Sequence, residues 1–419
     1  MAKMIVSRDF VMRSLVQQVR VLDPVSKSDR IADVLIEDGM IHAIETHLEV
    51  AADEIKSAQG LILAPGLVDL YSHSGEPGFE DRETLASLQQ AAIAGGFTRV
   101  HILPDTDPAI DNPTTVVWLK KHTALNCWGA LTLDVKSQQM TELIELAESG
   151  IVGFADGKPI ANLALVRRSL EYLQPLRKPI VLWAWEPSLA NGTMREGSNS
   201  MRFGLPGIPV MAETAPLAAL LECIAEIGTP VHLMRISTAR GVELIRAAKS
   251  RGVPVTASTT WMHLLLNTSA LASYDPSLRL DAPLGNESDQ QALIDAVQEG
   301  VIDAIAIDHT PYTYEEKTVA FGEAPAGAIG LELALPLLWQ NFVVTGRWSA
   351  LDLWRSLSDR PAACLGQSLN PIAVGQKAEL VLFDPAQTWI VDRASLKSRS
   401  TNTSWLGKSL TGKVIKTWV

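Results

Sequence analysis

Cysteine is scarce in this 419-residue sequence: Cys127, Cys223 and Cys364 are odd in number, far apart and without a C-x-x-C spacing. Such a set argues against a disulfide framework and reads as small core residues in a reducing compartment. Long apolar runs are missing too. No stretch approaches the ~18 consecutive apolar residues of a membrane-spanning helix. The opening "MAKMIVSRDFVMRSL" carries Asp9 where a secretion leader needs an unbroken apolar core. Basic clusters are absent: 36 Lys and Arg stand against 47 Asp and Glu, a formal charge of −11. That balance disfavours nucleic acid as a partner. Neither an internal repeat nor a low-complexity segment is present, and the paired glycines of "AIAGGFT" lack the spacing of a phosphate loop. What these absences leave is a soluble protein expected in the cytoplasm, 47% hydrophobic and 20% charged, long enough for one large domain or two.

The first 60 residues read as short strands. "IADVLIEDGMIHAIE" holds two apolar-rich runs around Asp38-Gly39, a strong hairpin signal. After Gly66 short apolar runs alternate with longer helical patterns. The strand candidates are "LVDLYSH", "TRVHIL", "WGALTL", "IVGFAD", "IVLWAW", "VHLMRI", "VPVTAST" and "AIAID". Amphipathic stretches such as "DRETLASLQQAAIAGG", "TELIELAESG", "APLAALLECIAEIG" and "ARGVELIRAAKSRG" lie between several of them, several ending on glycine as helices do. Eight apolar strands mostly separated by helices predict an α/β fold, a (β/α)₈ barrel. Stretches 186–212 and 264–300 are long for connections and read as active-face loops. The last 55 residues return to strand texture with "AELVLFDP" and "GKVIKTWV". The expected organisation is a barrel over 64–361, with segments 1–63 and 362–419 pairing into one small β domain.

In such a barrel the active site lies at the C-terminal strand ends. The first strand delivers Asp69, Tyr71 and His73, which strict alternation places on one inward face. The second leads to Asp105, the fourth to Asp156, and the fifth to Trp183, Trp185 and Glu186. The sixth brings His232 and Arg235, and the eighth brings Asp308, His309 and Tyr312. By the same alternation His232 faces away from Arg235, toward a helix. His42, His47, His101 and His122 read as structural or surface residues, and His263 and His309 as supporting ones.

Read together, "GLVDLYSHSGEPGFEDRETLASLQQAAIAGGFT", "LPDTDP", "PVHLMRIST", "VTASTTWMHLLL", "DHTPYTYEEK…FGEAPAGAIGLE" and "SRSTNTSWLGKSLTGKV" resemble, in order and over nearly the whole chain, the blocks of the dihydroorotases of the amidohydrolase superfamily. The resemblance implies a binuclear zinc hydrolase of pyrimidine synthesis that interconverts carbamoyl aspartate and dihydroorotate. At the catalytic positions the chain departs from that pattern. Tyr71 stands where the family has the first histidine of its strand 1 pair, Trp183 where it has the strand 5 metal histidine, and Arg235 where it has the strand 6 metal histidine. His73, Asp308 and, near the bridging-ligand position, Asp156 remain as candidate ligands, and Asp308 also holds the family's acid/base position. The family's carboxylate-binding arginine is Gly75, its second-block asparagine is Asp105, and its Asn-Pro-Pro-Leu-Arg stretch is "DAPLG", with Asp281 and Gly285.

Those exchanges have physical consequences. Indole N–H has no lone pair for a metal, and a permanently charged guanidinium repels a cation beside it. Tyrosine coordinates only as phenolate, against a pKa near ~10. The leading expectation is therefore a dihydroorotase-like protein without that activity, needing no cofactor and serving a structural or regulatory role. Noncatalytic homologues of the family suggest aspartate carbamoyltransferase as its partner, and self-association is a second option. The alternative is an active cyclic amide hydrolase with one zinc on His73, Asp156 and Asp308. The first reading further predicts a salt bridge from Arg235 to Asp308 or Asp156.

Overall fold

The structure, a computed structural model, describes residues 13–419. The opening stretch judged not to be a leader lies, up to residue 12, outside the described residues. Residues 13–65 and the C-terminal segment share one seven-stranded sheet. Its strands are Arg13–Asp23, Ser28–Glu37, Met40–Glu45, Glu54–Ser57, Ile62–Pro65, Leu380–Ile390 and Ser409–Trp418. The Asp38-Gly39 hairpin is present: both residues have positive φ (48° and 73°), the backbone a two-residue turn needs, and Glu37 pairs with Met40 across it. The two ends of the chain meet where Ile62–Pro65 runs antiparallel to Leu380–Phe383. Val16, Val34, Ile36, Leu63, Leu380 and Leu382 fill the core of this β domain.

Between these segments the chain forms the expected (β/α)₈ barrel. Its strands in order are Leu67–Val68, Phe97–Arg99 with His101–Ile102, Asn126–Cys127, Phe154–Ala155, Ile180–Trp183, Val231–Met234, Val255–Thr260 and Ala304–Ala306. Six neighbouring pairs form parallel ladders, and a single parallel bridge from Gly129 to Phe154 links the third to the fourth. The eighth strand closes onto the first through the Asp308 amide on Tyr71 O (3.2 Å) and the His73 amide on His309 O (2.8 Å). The helices expected from the amphipathic stretches form at Leu85–Gly95, Leu143–Glu148, Met211–Ile227 and Ala239–Ser250. Thr84 and Thr238 cap two of them by accepting backbone N–H groups.

Some expectations shift. The third strand lies at Asn126–Cys127 rather than over 128–133, with only a bridge from Gly129 to Phe154 beyond it. Stretch 264–300 is not all loop, because Glu287–Glu299 is a barrel helix capped by Asn286. The β sheet keeps the chain to Pro65, and helix Asp359–Cys364 packs against the barrel strand Ala304–Ala306, moving both boundaries by a few residues. Regular pairing is short, so residues 69–73 and 308 at the barrel mouth are held by individual hydrogen bonds rather than by strand alternation.

Barrel and β domain are joined by buried aromatic packing. Trp354 is fully buried, donates Nε1 to Pro65 O (2.9 Å) and packs against Trp339 and Phe383. Trp354→Ala should cost about 3–5 kcal/mol, read as a lowered urea midpoint. A loss below about 1 kcal/mol would show that the two units do not depend on this contact.

Candidate functional site

The first strand ends at Val68, and the next residues diverge. Asp69 is fully buried and points sideways, accepting from the Ile307 amide (2.8 Å) and Ser72 Oγ (2.5 Å). Burial pushes its pKa up to about 7. It does not reach the mouth, so the expected inward row of Asp69, Tyr71 and His73 is broken. Tyr71 is fully buried, with its hydroxyl 2.9 Å from Ser258 Oγ and accepting from the Arg235 amide at 3.2 Å. Burial, aided by nearby Asp308, raises the phenol well above its ordinary value. Its oxygen is already engaged on both sides, by Ser258 and by the Arg235 amide. Ser258 Oγ also meets His232 Nε2 at 2.8 Å, which corrects the outward placement expected for His232. Its ring lies inside the barrel, because Arg235 adopts a positive φ (58°) that ends the alternation.

Arg235 occupies the centre of the mouth, 4% exposed. Nε and Nη2 donate to the two oxygens of Asp308 (2.8 and 2.7 Å), and Nη1 donates to the Gly157 carbonyl (2.9 Å). Nη2 also lies 3.0 Å from His73 Nε2. The bidentate fork is the strongest geometry available to this pair. Burial opposes charge on both partners, yet each outweighs that penalty for the other: Asp308 is held well below the usual carboxylate range and Arg235 is raised. His73 donates Nδ1 to Asp105 Oδ2 (2.8 Å), and its Nε2 lies 3.6 Å from Asp308 Oδ1. Burial lowers its pKa, but the two carboxylates prevail and bring it to about 9. Two cations and two anions thus form one closed cluster.

One face of the guanidinium is covered by an aromatic stack. Arg235 lies over Trp183 (4.8 Å), Trp183 stacks on Trp185 (5.5 Å, 16°), and Arg195 lies over Trp185 from beyond (5.9 Å). Arg195 is fully buried and donates Nη2 to Ser237 Oγ (2.8 Å). A desolvated cation on an indole face is worth about 2 kcal/mol, so Trp183 stabilises the guanidinium directly.

The remaining family positions fare differently. Asp156, a candidate ligand, is 1% exposed and turned from the cluster, accepting from the Leu131 and Thr132 amides (2.7 and 3.1 Å) and Thr132 Oγ1 (2.5 Å). A Cβ built on Gly75 would sit 2.4 Å from the carbonyl oxygens of Phe79 and Glu83, so an arginine there would need a different loop. Asp105 and Asp281 both line the cavity, which has a volume of about 210 Å³. Arg82, the other arginine of the cavity wall, is not free: it is clamped on Glu316 between Phe79 (4.5 Å) and Tyr312 (4.9 Å). Sequence reasoning missed Arg195, Ser258 and Lys158. A lone arginine in a long loop, a strand serine and a lysine after a turn carry no spacing signal.

The donor set does not fit a zinc centre. Among the described residues no three His, Cys, Asp or Glu side chains converge on a point where a metal could be held. His73 and Asp308 do come together, but the space a cation would need beside them is filled by the guanidinium.

With the fold and site described, the kinship of the chain can be stated. A barrel of this kind joined to a small β domain matches the L-hydantoinase of Arthrobacter aurescens with a TM-score of 0.82 at 22% identity, covering 96% of this chain and 94% of that one. A D-hydantoinase from Thermus sp. matches at 0.78 and 20%, covering 96% and 93%. These likenesses define the amidohydrolase fold. In sequence, the Dihydro-orotase-like family matches residues 60–240 and the Amidohydrolase family matches residues 207–419. A dihydroorotase-like protein of Synechocystis sp. is 45% identical over 95% of this chain and 98% of its own length. A dihydroorotase of Pelotomaculum thermopropionicum is 37% identical over 96% of each. The chain belongs to the dihydroorotase-like family of amidohydrolases, as its motifs led us to expect.

Two outcomes test the cluster. Arg235→Ala strands a buried Asp308 and should destabilise the fold by about 3–5 kcal/mol in chemical unfolding. The pH response follows from the shifts. His73, raised above its unfolded ~6.5, contributes fully below that pH and loses its contribution as pH rises through about 9. Asp308, depressed below ~3.9, contributes above that value and loses its share only in strong acid. Melting temperature should therefore fall between pH ~6.5 and about 9, and Asp105→Asn should flatten that fall. An unchanged slope in the variant would contradict the pairing.

Proposed function

We propose that this chain is a dihydroorotase homologue that has exchanged its metal centre for a buried arginine and no longer interconverts carbamoyl aspartate and dihydroorotate. The observation that carries this reading is the Arg235 guanidinium, forked onto Asp308 and in contact with His73, at the strand 6 ligand position. Hydrolysis of a cyclic amide in this family needs a metal to activate water and polarise the carbonyl. Here the Tyr71 hydroxyl is engaged by Ser258 and the Arg235 amide, and the Trp183 indole N–H has no lone pair to offer a metal. A carboxylate substrate would meet Asp105 and Asp281, with no arginine at Gly75 to pair with it.

The role that remains is structural or regulatory. We take aspartate carbamoyltransferase as the expected partner, because the family resemblance suggests it, with self-association as the second option. In either role the barrel is valued as a rigid body, and its mouth is stabilised by charge pairing instead of metal.

The purified full chain should contain no stoichiometric zinc and should show no turnover of either substrate above background, even with added zinc. Arg235→His alone should not restore activity, since Trp183 and Tyr71 stay in place. Complementation of a dihydroorotase-deficient strain would overturn the reading and restore the alternative of a single zinc on His73, Asp156 and Asp308. Co-purification with aspartate carbamoyltransferase from the same source would support the partner assignment. Separate migration of the co-expressed pair at micromolar concentration would remove it.

A further inference from the structure

The cavity at the barrel mouth stays open after the exchange, but its polar groups are no longer matched to one another. The arginines on its wall are committed, Arg235 to Asp308 and Gly157, Arg82 to Glu316. The carboxylates are not all committed. Asp105 gives Oδ2 to His73 and keeps Oδ1 without a partner. Asp281 lines the cavity and interacts with Arg235, Arg279 and Lys317 only through space. Trp183, 8% exposed, has no acceptor for Nε1. Lys158 is exposed on the same wall.

We propose that this pocket binds a small primary ammonium compound that also carries an oxygen acceptor, either an amino acid or an amino alcohol. The ammonium donates to Asp105 Oδ1 and Asp281. The ligand oxygen accepts from Trp183 Nε1 and, where it belongs to a carboxylate, from Lys158. A plain carboxylic acid is disfavoured because two carboxylates face it and one lysine attracts it. A neutral amide brings no cationic donor to Asp105 Oδ1 or to Asp281, neither of which has a hydrogen-bonded cation at that oxygen. An ammonium group answers both carboxylates, and the indole N–H selects for an oxygen beside it.

This inference rests on the metal-free reading, since a zinc ion beside His73 would itself supply the positive charge. The test is calorimetric titration of the full chain with the proteinogenic L-amino acids, with ethanolamine and L-alaninol, and with acetate as the acid-only control. Zinc content is measured on the same samples. At least one ammonium probe should bind and acetate should not. Asp281→Asn, at an exposed residue, should weaken binding tenfold or more, with Asp105→Asn and Trp183→Phe acting in the same direction. Lys158→Met should weaken amino acids severalfold and leave amino alcohols unchanged, which tells the two sources apart. No binding by any ammonium probe, equal binding by acetate, or affinity unchanged in Asp281→Asn would each overturn the proposal. If that happens in zinc-free protein, the ligand assignment fails and the metal-free reading stands. Stoichiometric zinc would bring down both.

Discussion

The barrel mouth depends on one ion pair, the fork between Arg235 and Asp308. A buried carboxylate needs a compensating charge, and so does a buried guanidinium. Here each is the other's answer, with both oxygens and two guanidinium nitrogens used. The third nitrogen is used on Gly157 O, and the guanidinium lies over the Trp183 ring. Little of this cation is left to water or to a ligand.

The substitutions around the pair make sense as a set. Tyr71 accepts the Arg235 backbone amide and passes its own polarity to Ser258 and His232, so the hydroxyl left inside the barrel is satisfied. Trp183 covers the side of the guanidinium that no carboxylate reaches, and Trp185 and Arg195 complete the stack behind it. Asp105 neutralises His73, which would otherwise stand next to Arg235 as a second unbalanced cation. A single exchange would leave an orphaned charge or hydroxyl. Together they yield a cluster at the barrel mouth in which the charges of Arg235, Asp308, His73 and Asp105 are paired.

Much of this was legible in the sequence. The alternation of apolar runs and amphipathic stretches gave the barrel, and Asp38-Gly39 gave the hairpin. Ordered motifs over nearly the whole length placed the chain in its family and singled out Tyr71, Trp183 and Arg235, which the structure gathers at the barrel mouth. A salt bridge from Arg235 was expected to Asp308 or Asp156, and the geometry selects Asp308. The misreadings share a cause. His232 and Asp69 were assigned faces by strict strand alternation, but pairing in this barrel is short and Arg235 turns into the left-handed region, so parity fails near the mouth. Asp156 was placed by motif position, and its side chain follows the backbone amides of Leu131 and Thr132 instead. Arg195 joins the site only through tertiary contact, from a loop whose local sequence carries no pattern.

The central claim is that an organic cation stands where a metal would. Its most direct test is anomalous diffraction at the zinc edge from crystals of the full chain grown with excess zinc. The account predicts planar guanidinium density forked onto Asp308 and no anomalous peak within bonding distance of His73 Nε2. A zinc peak on His73 and Asp308, with Arg235 displaced toward solvent, would contradict it.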